Sequence, residues 1–233
     1  CANAFFDWLV EQKKRFPGVL FEACASGGMR MDYKTLSAFS IVSTSDQTDY
    51  KKYPCIAANV LSGVLPEQAA VWSYPVGGDS APGGYFDPSV EWVDENVSEE
   101  RVIMNMINSF LGRMHLSSHI ERLSDKKFAL VKQGVEYYNS LTPAKKVALP
   151  VFPSGFADFH SRYTCAGFTA NNKLYLAVWS TGGGEQLDIP VGTCYNSAKI
   201  SYPGNDFLAY ELKNGVLTVR FTEKYQARFF EIE

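Results

Sequence analysis

The stretch that decides the fold, residues 22–50, reads "EACASGGMRMDYKTLSAFSIVSTSDQTDY". Two short apolar segments, "VLFEAC" at 19–24 and "SIVSTSD" at 40–46, predict buried strands, and "YKTLSAF" at 33–39 predicts a short helix between them. Each predicted strand ends in polar residues. The alternation of strand and helix indicates parallel β/α architecture, in which chemistry is found where strands end and loops begin.

The segments on either side extend this pattern. Residues 3–18, "NAFFDWLVEQKKRFPG", predict an amphipathic helix that ends at Pro17-Gly18. Residues 54–98 are rich in proline and glycine, which predicts a long functional or lid-like loop, most of all in "PVGGDSAPGGYFDPS". Two further helices are expected over 98–114 and 124–141, with Ser98 and Ser124 as N-caps.

The pattern changes after Pro143. Apolar and polar residues then alternate, and Asn171-Asn172 and Asn214-Gly215 are typical hairpin turns. We therefore expect two domains, a β/α part over residues 1–146 and an antiparallel β-sandwich over residues 147–233.

Composition restricts the partners. The 233 residues are 46% hydrophobic, which is ample for a buried core. A net charge of −3, from 22 basic and 25 acidic side chains, offers nothing to attract nucleic acid or a membrane surface. Five scattered cysteines without a C-x-x-C pair, and no apolar run long enough to span a bilayer, predict reduced, mostly buried thiols in a cytoplasmic protein.

The polar motifs allow more than one interpretation. "CASGGMR" could be a phosphate-binding turn, but it lacks the lysine-serine end of a P-loop and the spacing of a dinucleotide fingerprint. "SDQTD" could supply oxygen ligands for a hard cation. Asp49 could instead cap a helix that follows the strand.

The two motifs together resemble those of glycoside hydrolase family 36, the melibiase-type α-galactosidases. The motifs are Glu-x-Cys-x-Ser-Gly-Gly-x-Arg-x-Asp, present as "EACASGGMRMD", and Ser-Asp-x-Thr-Asp, present as "SDQTD". The resemblance continues in "RFPGVLFE" before the first motif, "LPEQAAVWSYP" after the second and the closing "ARFFEIE", so it covers essentially the whole chain.

The resemblance implies the C-terminal portion of a (β/α)8 TIM barrel followed by an antiparallel β-sandwich. It also implies retaining hydrolysis of terminal α-linked galactose in raffinose-like or melibiose-like sugars, without a cofactor or metal. Asp46 matches the acid/base, which burial and a neighbouring negative nucleophile would keep protonated. The resemblance implies that the turn from Cys24 through Ala25 and Ser26 to Gly27 lines the sugar pocket. We expect Glu22 and Arg30 to lie behind it and to hold the turn by charge-assisted hydrogen bonds, and we expect Asp49 behind the pocket as well.

The family's nucleophile, which lies in a Lys-x-Asp motif at an upstream strand end, has no counterpart here, since Asp7 lies within the predicted first helix. We therefore expect these residues to be part of a larger α-galactosidase, inactive alone and homo-oligomeric when full length. An α-N-acetylgalactosaminidase and a non-catalytic carbohydrate-binding module are the alternatives.

Two positions depart from the family pattern. Met29 stands where the family often has a further glycine, and Thr44 stands where it commonly has a tryptophan. Trp72 could replace that aromatic wall of the pocket, or it could be a core residue. The three histidines lie outside both motifs and are expected in ordinary surface or interface roles: His115, His119 and His160.

Overall fold

The computed structural model describes residues 2–76, 98–184 and 186–233. The helices in these ranges are α1 (Ala2–Arg15), α2 (Tyr33–Ala38), α3 (Tyr53–Asn59), α4 (Glu99–Phe110) and α5 (Asp125–Lys145). The first strands are β1 (Glu22–Ala23), β2 (Ile41–Ser43), β3 (Ala69–Ser73), β4 (Arg113–Leu116), β5 (Leu149–Val151) and β6 (Tyr163–Ala170). The later strands are β7 (Lys173–Ser180), β8 (Gln186–Pro190), β9 (Ala198–Tyr202), β10 (Ala209–Lys213), β11 (Val216–Arg220) and β12 (Gln226–Ile232).

The first four strands form a parallel sheet in the order β1-β2-β3-β4. A helix lies in each connection, with α2 before β2, α3 before β3 and α4 before β4. Parallel neighbours need such crossover connections, because a tight turn can only reverse the chain. The parallel β/α architecture predicted from residues 22–50 is therefore present.

Side-chain caps define where two of these helices begin. Asp32 precedes α2, and its carboxylate accepts hydrogen bonds from Thr35 Oγ1 at 2.8 Å and Thr35 N at 3.0 Å. These hydrogen bonds lower the pKa of Asp32, since they favour its charged form. Ser98 accepts from Arg101 N at 3.1 Å and starts α4, as its sequence predicts.

Helix α4 lies at the centre of the molecule. Every residue from Arg101 to Phe110 is buried, because the helix packs against α5, β12 and β3. One apolar cluster therefore runs from the parallel sheet through α4 to the sandwich, and it includes Val71, Ile107 and Phe229.

The C-terminal part consists of two antiparallel sheets, β5-β6-β7-β12-β9 and β10-β11-β8. Because successive side chains in a strand point to opposite faces, Phe229 packs in the cluster around α4 and Phe230 packs between the two sheets. The predicted hairpins are also present: Asn171-Asn172 joins β6 to β7, and Asn214-Gly215 joins β10 to β11. All four turn residues have positive φ, from 52° to 77°, as type I′ turns require.

Polar contacts also cross the predicted boundary at residue 146. Trp179 Nε1 donates a hydrogen bond to Asn108 Oδ1 at 2.8 Å, entirely within the core. Arg228 on β12 forms a bidentate pair with Glu100 on α4, at 2.7 and 2.8 Å, and contacts Asp206 at 2.7 Å. No described helix, not even the 21-residue α5, is both long and apolar enough to cross a membrane.

Two predictions about secondary structure are wrong. Residues 54–76 were predicted as part of a loop, but they contain most of α3 and all of β3. Pro54 does not break the chain's structure there, because it lies in the first turn of α3, where a proline removes no helical hydrogen bond. The helix predicted over 98–114 ends at Phe110, and Arg113–Leu116 form strand β4. The loop predicted at 75–89 lies mostly outside the described residues.

Burial also differs from expectation at two places. In α1, Leu9 is 1% exposed, whereas Phe5 is 48% exposed and Trp8 is 50% exposed, so only part of its predicted apolar face is covered. Among the described cysteines, Cys165 is buried and Cys55 half-buried. The expectation of mostly buried thiols is wrong for Cys24 and Cys194, which are exposed because both lie in surface loops.

Lys145 is a buried cation at the end of α5. Its ammonium donates to Gly112 O at 2.8 Å and lies 3.8 Å from the ring centre of Tyr138. Burial lowers the pKa of Lys145 to about 7, because an ammonium loses its hydration there.

This burial predicts a pH dependence of stability. In the unfolded chain Lys145 stays protonated to about pH 10, whereas in the folded protein it releases its proton near pH 7. The unfolded state therefore binds more protons between these values, and the free energy of unfolding rises with pH in this window. We expect Lys145→Met to remove about 3 kcal/mol of that rise between pH 7 and 10, measured by urea denaturation.

The matched control is Lys146→Met, because Lys146 is the exposed neighbour of Lys145. It should leave the pH dependence unchanged. Equal slopes in the wild type and Lys145→Met would show that Lys145 remains charged in the fold.

Candidate functional site

The two polar motifs follow neighbouring parallel strands. Glu22 in β1 pairs with Ile41 in β2, and Ala23 pairs with Val42. The carboxyl ends of both strands therefore lie at the same edge of the sheet, and the structure brings the first motif against the second.

The contact between the motifs is made by backbone. Ser26, Gly27 and Gly28 all have left-handed φ values, of 45°, 48° and 82°. Gly28 N donates a hydrogen bond to Ser43 O at 3.0 Å, and a Cβ placed on Gly27 would overlap the backbone N of Asp46. The glycines thus allow the turn at 26–28 to lie directly on the segment that carries Asp46.

Asp46 projects from a loop that its neighbours hold in place. Ser45 Oγ accepts from Gln47 N at 3.0 Å, and Gln47 Oε1 accepts from Asp49 N at 2.9 Å. The Asp46 side chain is exposed. The burial expected of an acid/base would therefore have to come from further protein or from substrate.

A buried hydroxyl pair lies behind Asp46. Thr44 is 5% exposed and its Oγ1 donates to Ala70 O at 2.6 Å. The Tyr53 hydroxyl accepts from Trp72 N at 2.9 Å and is hydrogen-bonded to the Thr44 side chain. Burial, with the negative charge of Asp46 adding to it, raises the pKa of Tyr53 to about 12, so this phenol stays neutral. Thr44 is therefore a structural residue whose side chain is enclosed in the core.

The face of the sheet opposite the helices carries two further candidates, Trp72 and His115. They are register partners on β3 and β4, and their rings meet edge to face at 4.9 Å. Ser43 lies on the same face by strand alternation, and its buried Oγ has no hydrogen-bond partner among the described residues. Burial lowers the pKa of His115, although the negative charge of Glu22 acts in the opposite direction. The lowered pKa favours the neutral imidazole at pH 7.

His115 was assigned only an ordinary role from the sequence, and the structure places it beside Trp72 at the candidate site. Strand β4, which carries His115, was not predicted from the sequence. The pairing of β4 with β3, which brings the two rings together, was therefore not predicted either. Tyr53 was also missed, because nothing in the sequence links an aromatic residue of a helix to the preceding strand end. His119 matches the expectation, since it is exposed and pairs with Glu121 at 2.9 Å.

The other residues that the sequence predicted for the site are mostly exposed. Cys24, Ser26 and Arg30 are exposed, and Ala25 is half-buried. Glu22 and Arg30 are both exposed, and neither side chain makes a hydrogen bond or an ion pair with the residues that the structure describes. The hydrogen bonds expected from them stay a prediction.

Asp49 does not cap α3, because the N-cap position is Lys52 and no side chain caps it. The Asp49 carboxylate accepts from Lys51 N at 3.0 Å and lies 3.8 Å from Lys52 Nζ, at the start of α3. No group of three His, Cys, Asp or Glu side chains within residues 2–76, 98–184 and 186–233 could hold a metal ion.

Comparison with known proteins relates the fold to glycosidases. No protein-family model matches the chain, and no curated protein matches it by sequence. Solved structures do match. The galactosidase domain of the α-galactosidase-sucrose kinase AgaSK aligns with a TM-score of 0.61 and 14% identity, over 97% of this chain and 30% of that chain. The GH36 α-galactosidase AgaA from Geobacillus stearothermophilus aligns with a TM-score of 0.60 and 16% identity over the same shares.

Eubacterium rectale Amy13B also aligns, with a TM-score of 0.59 and 11% identity, over 98% of this chain and 55% of that chain. The likeness is thus not restricted to proteins named α-galactosidases. The chain spans only about 30% of the length of the galactosidases that it matches. The resemblance predicted from the sequence is confirmed at the level of the fold: the chain has the fold of the β-sandwich-containing C-terminal part of the GH36 α-galactosidases.

Proposed function

We propose that these residues form the acid/base side of the active site of a retaining α-galactosidase. Residues 1–146 would supply the C-terminal portion of its (β/α)8 barrel, and residues 147–233 its C-terminal β-sandwich. The observation that carries this proposal is the packing of the turn at 26–28 on the backbone of Asp46, which unites the two motifs at one strand edge.

In this mechanism Asp46 first protonates the glycosidic oxygen as galactose leaves. A carboxylate nucleophile from another part of the protein attacks the anomeric carbon, and Asp46 then deprotonates the water that releases the sugar. The two carboxyl groups of a retaining enzyme lie about 5–5.5 Å apart. The nucleophile must therefore approach the sheet edge beside the turn at 26–28, where Asp46 is exposed.

Exposed aromatic residues and the edge strand of the parallel sheet support the proposal of a larger protein. The galactosidases that share the fold are more than three times as long as the aligned part. Half-exposed Phe5 and Trp8 on α1, and the edge strand β1, are positions where further protein would pack.

Trp72 and His115 are the residues we assign to the floor of the sugar site. An aromatic ring offers a flat apolar surface to the C–H face of a hexose, and a neutral imidazole both donates and accepts hydrogen bonds. Their ring contact fixes their relative orientation. Trp72 would thus supply the aromatic wall that Thr44, enclosed in the core, does not.

The comparison with solved structures supports a choice of substrate class. AgaA variants form crystal complexes with raffinose and with stachyose. We propose such α-galactosyl oligosaccharides as the substrates here. The predicted homo-oligomer and cytoplasmic location remain predictions.

The test compares three p-nitrophenyl glycosides, the α-galactoside, the α-N-acetylgalactosaminide and the α-glucoside. Each is offered to the full-length gene product that contains this chain and to the 233-residue chain alone. We expect the full-length protein to prefer the α-galactoside at least tenfold in kcat/KM, and the short chain to be inert because it lacks a nucleophile. Preference for another glycoside would refute the substrate assignment, and turnover by the short chain would refute the missing nucleophile.

A further inference from the structure

A second recess, whose lining does not include Asp46, lies between the start of α3 and the loop that connects β5 to β6. We call it the interunit recess. It encloses about 350 Å³, and the residues that matter for its chemistry are Asp49, Lys52, Phe159, His160, Arg162 and Thr164. Its walls come from both the β/α part and the sandwich.

The loop that forms one wall is held firmly. Asn59 in α3 clamps Ala157 by accepting from its backbone N at 3.1 Å and donating to its O at 2.7 Å. Asp158 Oδ1 accepts from His160 N at 2.7 Å, and Ser161 O accepts from Thr181 Oγ1 at 2.7 Å. Side chains on this loop are therefore presented in a fixed geometry, so binding there would order little of the chain.

Two aromatic rings on the fixed loop face solvent. Phe156 is 70% exposed and Phe159 is 64% exposed, and the Phe156 ring packs at 5.0 Å on that of Phe152. Exposed phenylalanines grouped next to a recess mark binding surfaces more often than scattered ones do. The recess thus has an apolar platform, Phe159, at its rim.

The polar lining combines both charges. Lys52 lies 3.8 Å from Asp49, and Arg162 lines the recess together with Asp158 and His160. Neither an anion nor a cation would find a uniform field here. Sugar hydroxyls, which donate and accept, fit alternating donors and acceptors of this kind.

At the inner wall of the recess, Thr164 adds an independent observation. It is 3% exposed, and its Oγ1 is buried without a hydrogen-bond partner among the described residues. Buried hydroxyls are normally satisfied, so Thr164 Oγ1 is a hydrogen-bonding group that a ligand in the recess would engage.

We propose that the interunit recess binds one sugar unit of a neutral oligosaccharide, with the Phe159 ring as the stacking platform and the surrounding charged side chains as hydrogen-bond partners. The choice of an oligosaccharide rests on the proposed function, whereas the site does not contain Asp46. It would hold the remote end of a long substrate, or a second molecule.

The experiment titrates the isotope-labelled 233-residue chain with raffinose and follows backbone amide shifts by NMR. We expect shifts at residues 49–55 and 157–164. Phe159→Ala should weaken the binding that these shifts report at least tenfold. Phe207→Ala, which removes a phenylalanine that is 98% exposed on a different loop, should change it less than twofold.

Several outcomes overturn the proposal. One is that raffinose causes no shifts at the recess, and another is that Phe159→Ala binds raffinose as tightly as the wild type. A third is that sodium sulfate causes the same shifts as raffinose, which would indicate an anion site. The test is independent of catalysis. If the full-length protein hydrolyses no α-galactoside but the recess binds raffinose, the proposed activity fails and this inference stands; if hydrolysis occurs without recess shifts, only this inference fails.

Discussion

Asp46→Asn in the full-length protein is expected to lower the rate of raffinose hydrolysis about 10³-fold, in the range that general acid–base catalysis contributes. Asparagine keeps the size of the side chain but supplies no proton for the leaving oxygen and no base for the water. Since Asp46 is exposed on a loop held by Ser45 and Gln47, the change should leave the fold intact.

The leaving group makes this prediction specific. A p-nitrophenolate leaves without protonation, so the first step should survive the substitution with that substrate better than with raffinose. Added azide, which attacks without a base, should then restore turnover by accepting the galactosyl group. A side chain that merely shapes the pocket would show neither the dependence on leaving group nor the rescue.

Asp49→Asn is the matched control, because an amide oxygen can still accept the hydrogen bond from Lys51 N. It should reduce activity less than tenfold. Equal losses in the two variants would remove the distinction between the two aspartates of "SDQTD".

Gly27→Ala is expected to cost about 2 kcal/mol or more in the free energy of unfolding and to reduce kcat/KM at least about 10²-fold. At φ +48° an alanine is strained, and its Cβ would overlap the backbone of Ser45 and Asp46. Backbone cannot rotate away as a side chain does. The loop must therefore move, and the Asp46 carboxylate with it.

Gly155→Ala separates strain from overlap. Gly155 also has a left-handed φ, of 72°, but a Cβ there would meet nothing within 4 Å. We expect a loss of only about 1 kcal/mol and unchanged activity. If both alanine variants behave alike in denaturation and in hydrolysis, the close approach of the two motifs is not what positions Asp46.

Local sequence patterns predicted most of the elements around the site. Helix α2 and strand β2 lie where the apolar spacing placed them, and the Asn171-Asn172 and Asn214-Gly215 turns reverse the chain as their left-handed propensity requires. The meeting of the two motifs was also predictable, because the carboxyl ends of neighbouring parallel strands share one edge of a sheet.

Other features depend on tertiary contacts that local patterns do not report. Strand β4 follows a helix so closely that its first two residues, Arg113 and Met114, were predicted as the end of that helix, and only pairing with β3 makes them part of a strand. Because β4 was not predicted, the position of His115 beside Trp72 was not predicted either. The interior position of Lys145 likewise follows from packing, since a lysine near a helix end is ordinarily solvated.

The measurement that tests the central claim most directly is the proton NMR spectrum of the galactose first released from p-nitrophenyl α-galactoside by the full-length protein, recorded before mutarotation. The account predicts that the α-anomer forms first and that Asp46→Asn slows its release from raffinose about 10³-fold. Initial β-galactose would mean inversion and a different role for Asp46, and no galactose from either substrate would contradict the assignment of these residues to an α-galactosidase site.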